Sequence, residues 1–176
     1  MMKINQNVIA MIWDFDKTLI DGYMQWPIFK KYNIDEHNFW KEVRDKPKEF
    51  EEKGMKVNKD NYYLNHFINY VKEGKFPGLS NEVFYELGSQ LEFCKGLPEF
   101  FDFLKNLISQ EKKYQKYDIK LEHYIISTGL TEMIKGSKIA KYVDGIWGCE
   151  FIEDIRVEGK KEIKEISQIA YAIDNT

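Results

Sequence analysis

The run Val8-Ile9-Ala10-Met11-Ile12-Trp13 leads directly into Asp14-Phe15-Asp16-Lys17-Thr18, and no other feature constrains this chain of 176 residues as tightly. Six consecutive apolar residues are expected to form a strand of a parallel sheet, covered on both faces. Residues i and i+2 of a strand project to one side, so Asp14 and Asp16 should face one space beyond its carboxyl end. Open α/β sheets place their sites there. Two carboxylates so close repel each other and call for a cation, and a hard oxygen pair suits Mg²⁺. Beside a phosphate, one acid can attack phosphorus while the other exchanges protons with the leaving group and with water. The plain alternative is a solvated turn, with Thr18 capping a short helix. With 11 Asp and 4 Thr in the chain, the DxDxT pattern is expected by chance only about 0.02 times.

The remaining chain alternates in character. From Asp21 to Glu92 apolar residues recur at helical spacing: Phe39, Trp40 and Val43, then Tyr63, Leu64, Phe67, Ile68 and Val71, the second stripe stopped by Gly74. Ser80 is placed to cap a helix bearing Val83, Phe84, Leu87 and Leu91. Gly96-Leu97-Pro98 opens another helix, with Phe100, Phe101, Leu104, Leu107 and Ile108 as its expected buried face. A second strand is expected over Leu121 to Ile126, ending in Ser127-Thr128-Gly129, then a helix from about Thr131 to Tyr142. Gly145 to Ile152 and Ile166 to Ile173 read as strands separated by a Gly159-Lys160-Lys161 turn. Strands alternating with helices predict an α/β sheet with a helical insertion after the first strand.

Composition narrows the function classes. Apolar residues make up 43% and charged residues 31%, as in a folded globular protein. A net charge of −3 gives no electrostatic reason to expect nucleic acid or an anionic membrane. Cys94 and Cys149 form no CxxC pattern, so no disulfide framework or zinc site follows and the cytoplasm is the expected compartment. His37, His66 and His123 lack ligand spacing and read as surface or packing residues. Glu111 to Lys120 reads as a solvated connection, and a tyrosine of the helical block or Trp26 is a candidate substrate contact.

Asp14-Phe15-Asp16-Lys17-Thr18-Leu19 resembles the first motif of the haloacid dehalogenase (HAD) superfamily, DxDx[TV]. Tyr124-Ile125-Ile126-Ser127-Thr128-Gly129 resembles the second, and Gly96-Leu97-Pro98-Glu99-Phe100 resembles the helix start that often precedes it. The layout is similar to the phosphoserine-phosphatase-like branch: a HAD-like core over 1–20 and 93–176, with a helical cap over 21–92. The resemblance implies that Asp14 is the nucleophile and a Mg²⁺ ligand. It makes Asp16 the general acid/base, lending its backbone carbonyl to the metal as a second ligand, and gives the phosphoryl oxygens to Ser127 and the amides of Thr128 and Gly129 at a helix N-terminus. Asp16-Lys17-Thr18 also resembles the Asp-Lys-Thr of P-type ATPases, which would make Asp16 the nucleophile.

Two parts of the HAD pattern, a phosphate-neutralising lysine and a final Gly-Asp acidic motif, have no clear counterpart after Ser127. Lys164 and Asp174 are too close together for a helical crossover and a strand. The first strand is therefore expected to be a bare edge, needing self-association or a C-terminal segment missing from a truncated core to cover it. The sequence reading is a Mg²⁺-dependent phosphomonoester hydrolase acting through an aspartyl-phosphate on a small phosphorylated substrate, with these 176 residues weak or inactive alone. The alternative is a non-catalytic phosphate- or Mg²⁺-binding regulatory protein on the same fold.

Overall fold

The computed structural model describes residues 7–154 and 161–170. Four strands form one sheet in the order β1-β2-β3-β4: β1 (Val8–Trp13), β2 (Lys120–Leu130), β3 (Gly145–Glu153) and β4 (Ile163–Gln168). β1, β2 and β3 run parallel, with Val8 opposite Lys120 and Trp13 opposite Ile125, while β4 returns antiparallel against β3. The expected terminal hairpin is thus present, but its second strand begins at Ile163 rather than Ile166 and ends at Gln168. Gly159 and Lys160 of the expected Gly159-Lys160-Lys161 turn, and residues 171–173 of the expected strand, lie outside the described residues.

Between β1 and β2 stand α1 (Trp26–Tyr32), α2 (Glu36–Glu51), α3 (Tyr62–Lys72), α4 (Asn81–Gly88), α5 (Glu99–Gln110) and the single turn α6 (Lys112–Gln115). Asp35 caps α2 by accepting from the Asn38 N–H at 2.9 Å, and Ser80 caps α4 by accepting from Val83 at 3.2 Å. The first four helices enclose an aromatic core centred on Phe39, whose ring meets those of Phe29, Phe67 and Tyr70 at 4.8–5.3 Å. His66 and His123 are packing residues: His66 bonds Glu42 at 2.8 Å, and fully buried His123 accepts from the Trp13 indole at 3.1 Å.

Two helices differ from expectation. On α5 only Phe101 is fully buried, against Trp13 and His123, while Phe100 and Leu107 are exposed. Leu104 and Ile108 are half-buried, so the sheet covers only part of the expected apolar stripe. The helix expected to reach Tyr142 stops early, giving α7 (Thr131–Gly136) and a separate 3₁₀ turn over Ala140–Tyr142. The break has a local cause. Ser137 adopts an extended conformation and donates its hydroxyl to the Ile134 carbonyl at 2.6 Å.

Gly136 is also where α7 meets α4. A Cβ there would lie 1.8 Å from the Tyr85 carbonyl oxygen, and one at Gly88 would lie 2.2 Å from that of Met133. Backbone cannot yield as a side-chain tip can. Gly136→Ala is therefore expected to cost about 3 kcal/mol, a fall of about 6–12 °C in Tm by thermal unfolding. An unchanged Tm would mean that the helices do not approach this closely.

β1 departs from the expectation of a doubly covered strand. Its only strand partner among the described residues is β2, and Val8, Ile9 and Ile12 are exposed. The expected bare edge is what the described residues form. Among them, no helix is long and apolar enough to cross a membrane.

Candidate active site

β1 ends at Trp13 and the chain folds back at once. The Phe15 carbonyl accepts from the amides of Thr18, Leu19 and Ile20, and Lys17 takes the left-handed conformation with φ 60°. This tight turn buries Phe15 completely against Phe93 and sends its neighbours the other way. The Asp14 carboxylate is exposed and accepts from the Thr18 hydroxyl at 2.8 Å. The Asp16 carboxylate is partly buried and accepts from the Met24 N–H at 3.1 Å. Burial, with the nearby Asp14 charge adding to it, pushes the Asp16 pKa up to about 7, while the Met24 N–H and Lys17 pull the other way. Lys17 itself is turned onto Tyr23, donating to its hydroxyl at 2.6 Å.

The second segment lies alongside. Ser127, Thr128 and Gly129 belong to β2, which continues to Leu130 before α7 begins at Thr131. This corrects the expectation that the Thr128 and Gly129 amides sit at a helix N-terminus. The pairing of Leu130 with Cys149 of β3 holds the segment in the sheet. Ser127 is buried and its Oγ accepts from the Gly129 N–H at 2.9 Å, so the two groups expected to meet an anion meet each other.

Met24, which carries no sequence signal of function, joins the two segments. It is fully buried, its amide serves Asp16, and its sulfur accepts from the Leu130 N–H at 3.0 Å. Gly129 leaves it room, because a Cβ there would lie 2.2 Å from the Met24 methyl carbon. The cap reaches the same place: the buried Tyr63 hydroxyl donates to the Thr128 carbonyl at 2.5 Å, and Cys149 Sγ donates to it at 3.2 Å. Burial drives the Tyr63 hydroxyl pKa well up, with Cys149 and Asp16 adding to it, so Tyr63 remains a donor.

A cavity of about 1250 Å³ opens between the carboxyl ends of β1 and β2 and the helical insertion. Asp16, Thr128 and Gly129 line it from the core, and Trp40, Arg44 and Tyr63 from the helices. Asp14 and Ser127 are not in its lining, and neither is Trp26, whereas Tyr23, Gln25 and His37 are. Sequence reasoning missed Arg44, which stands one helical turn after Trp40 on α2.

Among the described residues, no group of three or more His, Cys, Asp or Glu is placed to hold a metal. The open Asp14 carboxylate, with the Asp16 backbone carbonyl two residues on, nevertheless suits Mg²⁺, which takes one or two protein oxygens and fills its shell with water and phosphate oxygens.

The raised Asp16 pKa has a stability consequence. Between pH 4 and 7 the unfolded chain gives up this proton before the folded one does, so folded-state stability falls as pH climbs and the loss is complete above about pH 7. Asp16→Asn keeps an acceptor for Met24 and removes the titration. In chelator, its Tm relative to wild type should improve from pH 5 to pH 8. A difference independent of pH would contradict the burial of this acid.

No family model matches the chain. A Borreliella burgdorferi protein of uncharacterised function is 36% identical over 183 residues, a match covering 99% of this chain and 63% of that protein. The chain thus spans less than two thirds of that relative's length. Among solved structures, a HAD-family hydrolase of Salmonella enterica serovar Typhi aligns with a TM-score of 0.56 at 13% identity, over 93% of this chain and 46% of that one. A phosphoserine phosphatase carrying a phospho-aspartyl intermediate analogue gives 0.53 at 16% identity, over 92% and 63%. A substrate-bound phosphoserine phosphatase gives 0.50 at 17%, over 89% and 61%. A mostly parallel sheet whose first strand runs into DxDxT, with a helical insertion before the second, is thus the HAD-like fold of the phosphoserine phosphatase type.

Proposed function

We propose that the chain is a phosphomonoester hydrolase, or the larger part of one, working through Asp14. The observation that carries this reading is the unequal environment of the two acids. Asp14 lies open, oriented by Thr18, as a nucleophile must be to reach phosphorus. Asp16, enclosed and holding its proton to about pH 7, suits a general acid that protonates the leaving oxygen and then, as a base, draws a proton from water. Attack by an Asp14 oxygen forms the new P–O bond as the ester P–O bond breaks, and water then releases phosphate from the acyl phosphate. Ser127 and the Thr128–Gly129 backbone are assigned to the phosphoryl oxygens, which requires the Ser127–Gly129 bond to yield to the anion. The Asp14 carboxylate and the Asp16 backbone carbonyl would hold Mg²⁺, which supplies charge neutralisation of the phosphoryl group.

The HAD-like fold and the cavity beside Asp16 support the reading, and the compartment we assign is the cytoplasm. Hydrolysis of an aryl phosphate should require Mg²⁺ and vanish in chelator. A rate that is indifferent to chelation would remove the metal from the scheme. Phosphate or Mg²⁺ binding without any turnover would favour a regulatory protein instead.

A further inference from the structure

Asparagine recurs at positions 58, 61, 65 and 69, from the loop entering α3 to the last turn of that helix. All four line a groove of about 640 Å³ that is separate from the cavity beside Asp16. The two spaces share a wall, since Lys59 and Asp60 of the same loop line the Asp16 cavity. Asn61 holds the N-cap position of α3, where an asparagine side chain ordinarily accepts from a helix amide. It makes no such bond, and its Oδ1 has no hydrogen-bond partner although the residue is only 6% exposed. A buried acceptor without a donor opposes folding, and a ligand N–H or O–H would satisfy it.

The lining narrows the ligand. Among the described residues that line the groove there is no carboxylate, and Lys56 alone is charged. A sugar or a base would have little ring surface to stack on, because Tyr62 is 7% exposed and Phe50 packs against it at 6.1 Å. Spacing points instead to a polypeptide backbone. Asn61, Asn65 and Asn69 follow one another at four-residue intervals on one side of α3, about 6 Å apart along the helix. An extended chain advances about 6.6 Å over two residues, and the N–H and C=O of alternate residues point to the same side. Each asparagine amide carries an acceptor and donors, so each can take the N–H and C=O of one residue. The two repeats differ by only about 1 Å over the whole ladder.

We propose that the groove binds an extended, largely apolar peptide segment of another polypeptide, its backbone held on the Asn61–Asn65–Asn69 ladder and an acidic group set against Lys56. Met55 and Ile169, both about half exposed, border the groove and give the apolar side chains of such a segment a surface to cover. The bound backbone supplies Asn61 with the donor that the chain itself does not.

The test pans random heptapeptides displayed on phage over the immobilised chain, then titrates the strongest binder, as a synthetic peptide, by calorimetry. Affinity is expected to fall at least about tenfold for the chain carrying Asn65→Ala and Asn69→Ala. Asn65 is exposed and Asn69 half-buried, so circular dichroism of that chain should match wild type. Asn61→Leu removes the unpaired acceptor, so it should weaken the peptide without lowering Tm. N-methylation of successive peptide amides should weaken binding at every second residue, as recognition of an extended backbone requires. No enrichment over bare matrix would overturn the proposal, and so would binders indifferent to these substitutions. Dimerisation through the groove, seen by light scattering and lost in the double variant, would overturn it too, as would a groove filled by an oligosaccharide in place of a peptide. No arm of the test reads hydrolysis, so it stands or falls apart from the phosphatase reading.

Discussion

Asp14→Asn will reduce Mg²⁺-dependent hydrolysis of an aryl phosphate to the rate without protein, a loss of at least about 10³-fold in kcat/KM, or about 4 kcal/mol of transition-state stabilisation. The amide keeps the shape of the carboxylate and can still accept from Thr18, so the turn over residues 14–20 should persist. On the proposed mechanism, what disappears is the anionic oxygen that would bond to phosphorus, and with it the acyl-phosphate route. Asp16→Asn should behave differently. It removes the proton donor and acceptor but leaves the nucleophile, so substrates with good leaving groups should suffer less than alkyl phosphates. Equal rates for wild type and Asp14→Asn would remove Asp14 from the chemistry. A defect confined to Asp16→Asn would revive the Asp-Lys-Thr reading, with Asp16 as nucleophile.

Phe39→Ala is expected to be the most damaging substitution for stability. The ring is fully buried and touches neighbours on α1 and α3 as well as Phe76, Trp40 and His66. Aromatic rings here make edge and tilted contacts that no smaller side chain replaces. Truncation should cost about 3–5 kcal/mol, a fall of about 6–20 °C in Tm by calorimetry. Phe103→Ala, at an exposed position on α5, should change stability by no more than about 0.5 kcal/mol. Because Trp40 packs on Phe39 and lines the cavity, Phe39→Ala should also raise KM. Comparable losses at the two positions would mean that the helical block lacks a fixed core.

The strand leading into two acids was legible in the sequence because both its apolar run and its acids are local. The edge position of β1 was legible as well, from the missing later motifs rather than from β1 itself. The path of Ser127-Thr128-Gly129 was not. That tripeptide reads equally well as a helix start, and only the long-range pairing of its flanks, Ile126 and Leu130, with β3 decides for the strand. Met24 was invisible because a backbone N–H, which any residue but proline carries, does its work for Asp16. Tyr63 was read correctly as part of a buried stripe. That its hydroxyl crosses to the Thr128 carbonyl, 65 residues away, depends on how the helices settle onto the sheet. The exposure of Phe100 and Leu107 has a similar origin: periodicity marks an apolar face, but the partner element decides how much of it is covered.

A crystal structure grown with Mg²⁺ and beryllium fluoride tests the central claim most directly, because the fluoride adduct mimics a phosphorylated carboxylate. The account predicts the adduct on an Asp14 oxygen, the metal between Asp14 and Asp16, and the fluorines within hydrogen-bonding reach of Ser127 and the Thr128–Gly129 amides. An adduct on Asp16, or Asp14 and Ser127 opening onto separate spaces with no shared anion, would contradict it.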